Sequence, residues 1–341
     1  MNKKYQLISI LFVILSLSMN SSLLAQKHPS GKLADKPLYR DPVFDGAADP
    51  TLIWNKNKKK WFMFYTNRRA NADSLKGVTW VHGTRIGIAE SSDGGATWSY
   101  KDTANINYRP DSAYSFWAPE VLEYHGLYHM FLTYVPGVFK DWNHPRYIIH
   151  LTSIDLLNWN YVSTLQLASN KVIDACIIRM PNGNWRMWYN NELDGKSIYF
   201  ADSPDLFHWH DRGKAIADHH GEGPDVFHWK DKYWMVVDQW AGLGVYQSTD
   251  LLHWLPQPVR ILEQPGTGPE DGTKGGHPDV IVNGDRAFIF YFLHPGRTPD
   301  NEKVDNTETR RSLIQVAELH ESDGIISCDR DEPVYINLRK K

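Results

Sequence analysis

Sulfur, surplus charge and long apolar runs are all scarce in this chain. Its 341 residues include two cysteines, Cys176 and Cys328. They lie far apart, with no Cys-x-x-Cys and no histidine at a ligand spacing, which excludes a cysteine-based zinc site and a dense disulfide framework. Both are expected as buried thiols. A formal charge of -3, from 37 basic and 40 acidic residues, leaves no excess of lysine and arginine to neutralise phosphates. Nucleic acid and an anionic membrane surface are therefore not expected as partners. The one extended apolar run, from Leu7 to Leu17, is shorter than the ~20 residues of a spanning helix. Lys3 and Lys4 precede it and small residues lead from it to Ala25 and Gln26, the pattern of an export signal over residues 1–25. That pattern predicts a secreted or periplasmic protein, with no membrane insertion after the signal is removed. Helical periodicity is nearly absent as well.

What the chain has in quantity is aromatic residues and repetition. With 14 Trp, 17 Tyr and 42% hydrophobic residues it is too rich in order-promoting side chains for long disorder. Its length alone suggests two domains, unless one repeat claims all of it. Ser91-Ser92-Asp93-Gly94-Gly95-Ala96-Thr97-Trp98 is followed by Ser153-Ile154-Asp155 with Trp159, Ser203-Pro204-Asp205 with Trp209, and Ser248-Thr249-Asp250 with Trp254. Each copy reads Ser-x-Asp, a short spacer, then Trp. The Ser and Asp can hydrogen-bond local backbone to fix a turn, so the motif is structural and Asp93 is given no catalytic role. The four tryptophans are expected in the core.

A second repeat lies upstream of each box: Asp49-Pro50-Thr51, Ala118-Pro119-Glu120, Asp174-Ala175-Cys176, Gly223-Pro224-Asp225 and His277-Pro278-Asp279. Each is followed by a polar turn and an aromatic strand such as Trp61-Phe62-Met63-Phe64-Tyr65, the signature of a hairpin. A third strand and the Ser-x-Asp turn to a fourth complete the unit. Five such units predict an all-β fold, a five-bladed β-propeller of four-stranded antiparallel blades in one domain over residues 40–338. In the fifth unit, Ser322-Asp323-Gly324 is at best a remnant of the box.

Residues that open the first strands of a propeller converge at one mouth of its channel. That register collects acids: Asp49 in blade one, Asp174 in blade three and Glu222, one residue before the opening position, in blade four. Asp41, in Arg40-Asp41-Pro42, is a rival for Asp49 but lies outside the repeat.

These segments resemble the family 43 glycoside hydrolases and their five-bladed relatives. The likeness rests on Ala48-Asp49-Pro50-Thr51, Val172-Ile173-Asp174-Ala175, Glu222-Gly223-Pro224-Asp225-Val226 and Trp117-Ala118-Pro119-Glu120-Val121, and covers about residues 40 to 338. The resemblance implies Asp49 as general base, Glu222 as general acid and Asp174 as the group that tunes the acid. Hydrolysis of a glycosidic bond needs such a pair, one carboxyl protonated and one ionised. A third carboxylate keeps the acid protonated by like-charge repulsion.

Phe116, Trp117, Trp80, His82, Trp240 and Arg297 are the candidates for sugar contact, since aromatic faces stack on sugar rings and polar groups read hydroxyls. His277 faces the axis. Relatives place a histidine there near a water or calcium ion, so a structural calcium is one reading and a histidine bonded to the axial carboxylates is the other; no cofactor is required. The implied substrate is a plant or algal oligo- or polysaccharide, cleaved as by an arabinofuranosidase or xylosidase and with inversion. A glycosidase acting on galactose or anhydrogalactose and a non-catalytic carbohydrate-binding propeller are the alternatives. An invertase-type enzyme would require a Glu-Cys pair that the chain lacks, and a sialidase a cluster of three arginines that cannot be placed.

Overall fold

The computed structural model describes residues 30–109, 112–216, 219–301 and 303–339. The expected export signal lies outside the described residues. Five antiparallel sheets follow one another along the chain. Their inner strands are Ala47–Asn55, Ser115–Tyr124, Val172–Arg179, Glu222–Trp229 and Gly276–Asn283. Each inner strand touches the next, and the fifth returns to the first, closing a five-bladed propeller. Blade two carries a fifth strand, because Asn105–Asn107 runs parallel to its outermost strand. Lys32–Leu33 pairs with Tyr335–Ile336, tying the two ends of the described chain together. No helix among the described residues is long and apolar enough to cross a membrane.

The aromatic second strands explain why the blades stack. Residues along a strand point alternately to its two faces, and in a propeller both faces meet another blade. Trp61, Met63 and Tyr65 accordingly pack against blade five, with Phe288 and Phe290, while Phe62 and Phe64 pack against blade two, with Met130 and Leu132. The run therefore reads as continuously apolar rather than alternating. The outer strand of the same blade, Ser99–Thr103, has no buried residue.

The Ser-x-Asp boxes form the turns between third and fourth strands. In the first, Asp93 accepts hydrogen bonds from the Thr97 N–H (3.0 Å), the Thr97 hydroxyl (2.8 Å) and Lys32 Nζ (2.8 Å). In the other three, the serine hydroxyl accepts the N–H of Leu156, Leu206 or Leu251, each at 2.9 Å. Only Trp159 among the four box tryptophans is fully buried; Trp98, Trp209 and Trp254 are half-exposed and cap the edges of core clusters. A blade edge borders solvent, so one face of the ring has no neighbour. In blade five, Asp323 and Gly324, both at positive φ, make the two-residue connection of a tight hairpin between paired Ser322 and Ile325. Nothing of the box remains there. Cys176 is buried and Cys328 is only half-buried, and both are free.

Two rings of inter-blade hydrogen bonds hold the axis together. Asp279 takes the N–H of Leu52 (2.8 Å), Asp225 that of Val280 (2.9 Å), the Cys176 sulfur that of Val226 (3.1 Å) and Glu120 that of Ile177 (2.9 Å). Thr51 closes this circle by donating to Glu120 (3.4 Å). Protein surrounds these side chains on all sides while the axial channel keeps them in touch with water. Enclosure drives the Glu120 carboxyl up to about 8, and that of Asp225 well above the usual range with Asp279 and Glu120 adding to it. The second ring lies at the mouth. There Thr66 Oγ1 accepts the N–H of Ala118 (2.8 Å), Thr133 Oγ1 that of Asp174 (3.1 Å) and Asp238 Oδ2 that of His277 (3.0 Å).

Candidate active site

Every inner strand is bulged at the same place, its register against the second strand slipping after Ala48, Trp117, Ile173, Glu222 and Gly276. A bulge re-aims the side chains on either side of it. Four of the bulged residues have positive φ: Asp49 (52°), Ala118 (42°), Asp174 (61°) and Gly223 (54°). For a residue with a Cβ this backbone costs on the order of 1–3 kcal/mol, and such strain collects at functional sites. Two of the three predicted acids thus occupy the bulge itself. Glu222 precedes it, paired with Asp238 on the neighbouring strand.

His277 is the hub of the cluster. Its Nδ1 lies 3.6 Å from Asp49 Oδ1 and 4.0 Å from Asp174 Oδ2. A Cβ at Gly223 would come within 2.6 Å of the His277 ring, so glycine at this position makes room for it. The Gly223 N–H donates to Asp174 Oδ2 at 3.0 Å, which links Asp174 to the residue next to Glu222. Enclosure lowers the His277 ring below its ordinary value against the pull of Asp49 and Glu222. Asp49, Asp174 and Asp238 are buried, and Glu222 is half-exposed.

The electrostatics separate these carboxyls. Asp174 is raised well above the carboxylate range, first by burial and then by the charges of Glu222 and Asp49. Asp238 is pushed up to about 7 by burial and then by Glu222. Asp49 is held by a cation: Arg68 Nη2 lies 2.9 Å from Oδ1 and 3.2 Å from Oδ2. Arg68 is itself fixed by His294, whose Nδ1 donates to the Arg311 carbonyl (2.9 Å) and whose Nε2 faces Arg68 Nη1 (3.3 Å). Around Glu222 the charge is mixed, with Lys196 Nζ 3.3 Å from Oε2 and the acids Asp174 and Asp238 coupled to it from the interior. The Lys196 ammonium also sits over the Trp240 ring, 4.6 Å from its centre.

The structure brings Asp49, Asp174, Glu222 and His277 together. Asp41 stands apart: it is buried, accepts the Tyr65 hydroxyl (2.6 Å) and the N–H groups of Val43 (3.0 Å) and Phe44 (2.6 Å), and shapes a turn. The aromatic candidates divide. Trp240 is exposed at the turn after blade four's second strand. Phe116 has no exposed surface and packs in the core between blades one and two, so it does not contact a sugar. His82 is equally enclosed, with rings of Trp117, Phe139 and Trp142 around it, and supports Trp117 rather than a ligand. Trp117 is nearly buried, its indole N–H donating to the Val81 carbonyl (2.6 Å). Trp80 is buried beneath Arg297, whose Nε donates to the Thr309 carbonyl (2.7 Å). Both brace the long loops of blades one and five. Trp80, Trp117 and His82 are thus spent on packing loops whose partners the sequence leaves invisible.

Sequence reasoning missed Arg68, Lys196, Asp238 and His294, and also Trp142, exposed on the blade-two loop. Asp238 left a signal. The positions of the second strands that pair just before the bulge are Thr66, Thr133, Asn190, Asp238 and Phe292, and only one is charged. Among the described residues no group of three or more histidine, cysteine or acidic side chains is arranged to hold a metal ion. The His277 ring is set against the carboxylates of Asp49 and Asp174.

The architecture is that of the five-bladed propellers of the family 43 glycoside hydrolase type. A thermostable family 43 glycoside hydrolase is similar over 89% of this chain and all of its own, with 18% identity and a TM-score of 0.64. A β-xylosidase/α-arabinofuranosidase from a compost metagenome, solved with xylotriose in a calcium-free form, matches 83% of this chain and 94% of its own at 13% identity and a TM-score of 0.59. A family 43 β-1,3-galactosidase bound to galactodeoxynojirimycin matches 91% and 99% at 13% identity and 0.61. No family model matches the chain, and no curated protein does.

Proposed function

We propose that this protein is a glycoside hydrolase that cleaves plant or algal oligo- or polysaccharides by single-step inversion, as an arabinofuranosidase or xylosidase does. The observation that carries the reading is the shared bulge. It sets Asp49, Asp174 and Glu222, from three blades, around one neutral histidine at the channel mouth. A sugar-binding propeller has no need of three coupled acids, two of them on strained backbone.

Asp49, clamped by Arg68, is the carboxylate that takes a proton from water as the water attacks the anomeric carbon. Glu222, the half-exposed acid, donates its proton to the departing glycosidic oxygen. Asp174, linked through the Gly223 N–H to the residue beside Glu222, is the group that tunes and orients the acid. His277, neutral and enclosed, keeps the two aspartates in place without carrying charge into the cluster. Trp240 offers an aromatic face beside the acid, with the Lys196 ammonium over one side of the ring. Inversion requires water between base and sugar, with carboxyls roughly 6.5–9.5 Å apart, whereas retention places them about 5–5.5 Å apart. Blades one and four are separated by blade five on one side and two blades on the other, which favours the wider spacing.

The relatives act on different sugars, a xylosidase/arabinofuranosidase and a β-1,3-galactosidase among them. A galactose- or anhydrogalactose-directed enzyme is therefore the second reading. A glycan screen with sugar-release detection distinguishes the two and also tests the non-catalytic alternative. Proton NMR of the first-formed sugar, taken before mutarotation, tests the stereochemistry. A product that keeps the substrate's anomeric configuration would make Asp49 a nucleophile rather than a base. Action outside the cytoplasm belongs to the same proposal and rests on the signal-like segment over residues 1–25.

A further inference from the structure

The second strand of blade four ends in a residue whose chemistry exceeds its structural task. At the equivalent mouth-ring positions of blades one and two, Thr66 and Thr133 take the N–H of the next blade's bulged residue with a hydroxyl. Asp238 does the same for His277 with a carboxylate oxygen. A hydroxyl would serve, as its two counterparts demonstrate, and a buried carboxyl is costly to ionise. The second oxygen is also used: Asp238 Oδ1 accepts the N–H of Trp240 at 2.7 Å, fixing a turn in which Trp240 has a φ of 56°. Gly276 is required beside it, since a Cβ there would come within 2.6 Å of Oδ2. Asp238 is thus seated between Trp240 and His277, directly opposite Glu222 in the strand pairing.

We propose that Asp238 is a positioning residue for the acid: together with Asp174 it forms a three-carboxylate set with Glu222, and this set, not the Glu222–Asp174 pair, carries the proton delivered to the leaving group. The proposal rests on the glycosidase reading of the site. Coupling between two ionisable groups is mutual, so a charge on Glu222 that raises Asp238 implies that a charge on Asp238 helps retain the proton of the set. The groups facing it are Glu222 on its own blade, Asp49 with its partner Arg68 from blade one, and His277 from blade five, while Asp174 from blade three joins the set through Glu222. Lys196, paired with both Glu192 and Glu222, opposes the set from the solvent side. Asp238 also places Trp240, so one side chain would link the aromatic face beside the acid to the acid's protonation.

The test is Asp238→Thr, which restores the neutral strut of blades one and two. With an unactivated oligosaccharide turned over by the wild type, the alkaline limb of kcat/KM should move to lower pH by about half a unit or more, while the acid limb stays. A purely structural Asp238 would lower kcat at every pH and leave the limb where it is. Carboxyl ¹³C NMR reads the same coupling without substrate. The Glu222 signal, identified by its loss in Glu222→Gln, should titrate at lower pH in Asp238→Thr than in the wild type, and the Asp238 signal at lower pH in Glu222→Gln than in the wild type. If the threonine variant does not fold, Asp238→Asn is titrated in its place and the Glu222→Gln arm still reports from the other side. Unmoved midpoints overturn the proposal whether or not a glycan is cleaved. Moved midpoints without turnover of any glycan retire the hydrolase reading and leave the coupling standing.

Discussion

The two ends of the blades hold the same residue, aspartate, in opposite electrostatic conditions. At the turns between third and fourth strands, Asp250 is drawn well below the carboxylate range by the His253 ring and then by the N–H groups of His253 and Leu252. Partial burial works against Asp205, yet the His208 ring and two backbone N–H groups still bring it to about 2. At the mouth, burial and like charges push Asp174 far up and Asp238 to about 7. Both mouth residues also accept backbone hydrogen bonds, one at Asp174 and two at Asp238, but neither has a histidine side chain bonded to its carboxylate and each shares its surroundings with other acids. The difference shows that hydrogen bonding alone does not set a carboxyl's state. What matters is whether water reaches the group and whether its charged neighbours are cations or other acids.

If that contrast is functional, damage at the mouth should fall on chemistry and damage at the turns on stability. The largest effect belongs to Asp49→Asn and Glu222→Gln, each expected to lower kcat/KM on natural glycosides by about 10²–10⁴-fold with an intact circular dichroism spectrum. On aryl glycosides, whose leaving group needs little protonation, Glu222→Gln should retain more activity than Asp49→Asn. Wild-type rates for both variants would break the comparison. Next comes Asp174→Asn, which should shift the alkaline limb of the activity profile to lower pH by about one unit, because the acid loses a neighbouring carboxyl that shares its titration.

At the other end, Asp93→Ala removes an acceptor that serves Thr97 twice and Lys32 once. It should cost about 1–2 kcal/mol in denaturant unfolding, as loss of a capping side chain does, with kcat unchanged. The pH dependence of stability should have opposite signs at the two ends. Asp205 is depressed in the fold, so its contribution is present above 3.8 and fades as pH falls towards about 2. Asp174 is raised, so its contribution is complete below 3.8 and is lost as pH rises above that value. Thermal melts across pH should therefore show Asp174→Asn gaining on the wild type as pH rises, and Asp205→Asn losing its deficit at low pH. The smallest effect is Trp240→Ala, expected to raise KM severalfold with little change in stability, since the ring is exposed.

Much of this was legible in the sequence because the fold repeats. Five copies of one strand grammar define the blades, and the shared opening position of Asp49 and Asp174 is itself the bulge. Glu222 was found by its offset of one, which the register explains: it is the residue just before the slip. Phe116 and His82 were misread because position near a blade opening does not reveal which face of the strand looks inward, and a bulge inverts that alternation locally. Arg68, Lys196 and His294 were invisible for a different reason. They stand at the ends of second strands or in the loops beyond them, where no periodicity constrains them, and they reach the acids only through tertiary packing. Trp80 and Arg297 show the same limit from the other side, being plausible ligands by type that the loops use for their own support.

The circle of Thr51, Glu120, Cys176, Asp225 and Asp279 bears on how such a molecule can come into being. In four of its five links the side chain of one blade takes a main-chain N–H of the next, and in the fifth the Thr51 hydroxyl serves Glu120. An arc of three or four blades would leave a main-chain donor unclaimed at one end and a side-chain acceptor unclaimed at the other. Linear repeat arrays can lengthen or shorten by a unit, because their ends are always free. Here the ends exist only until the last blade arrives, so blade number is an all-or-none property, and the mouth that assembles the acids comes into existence in the same closing event.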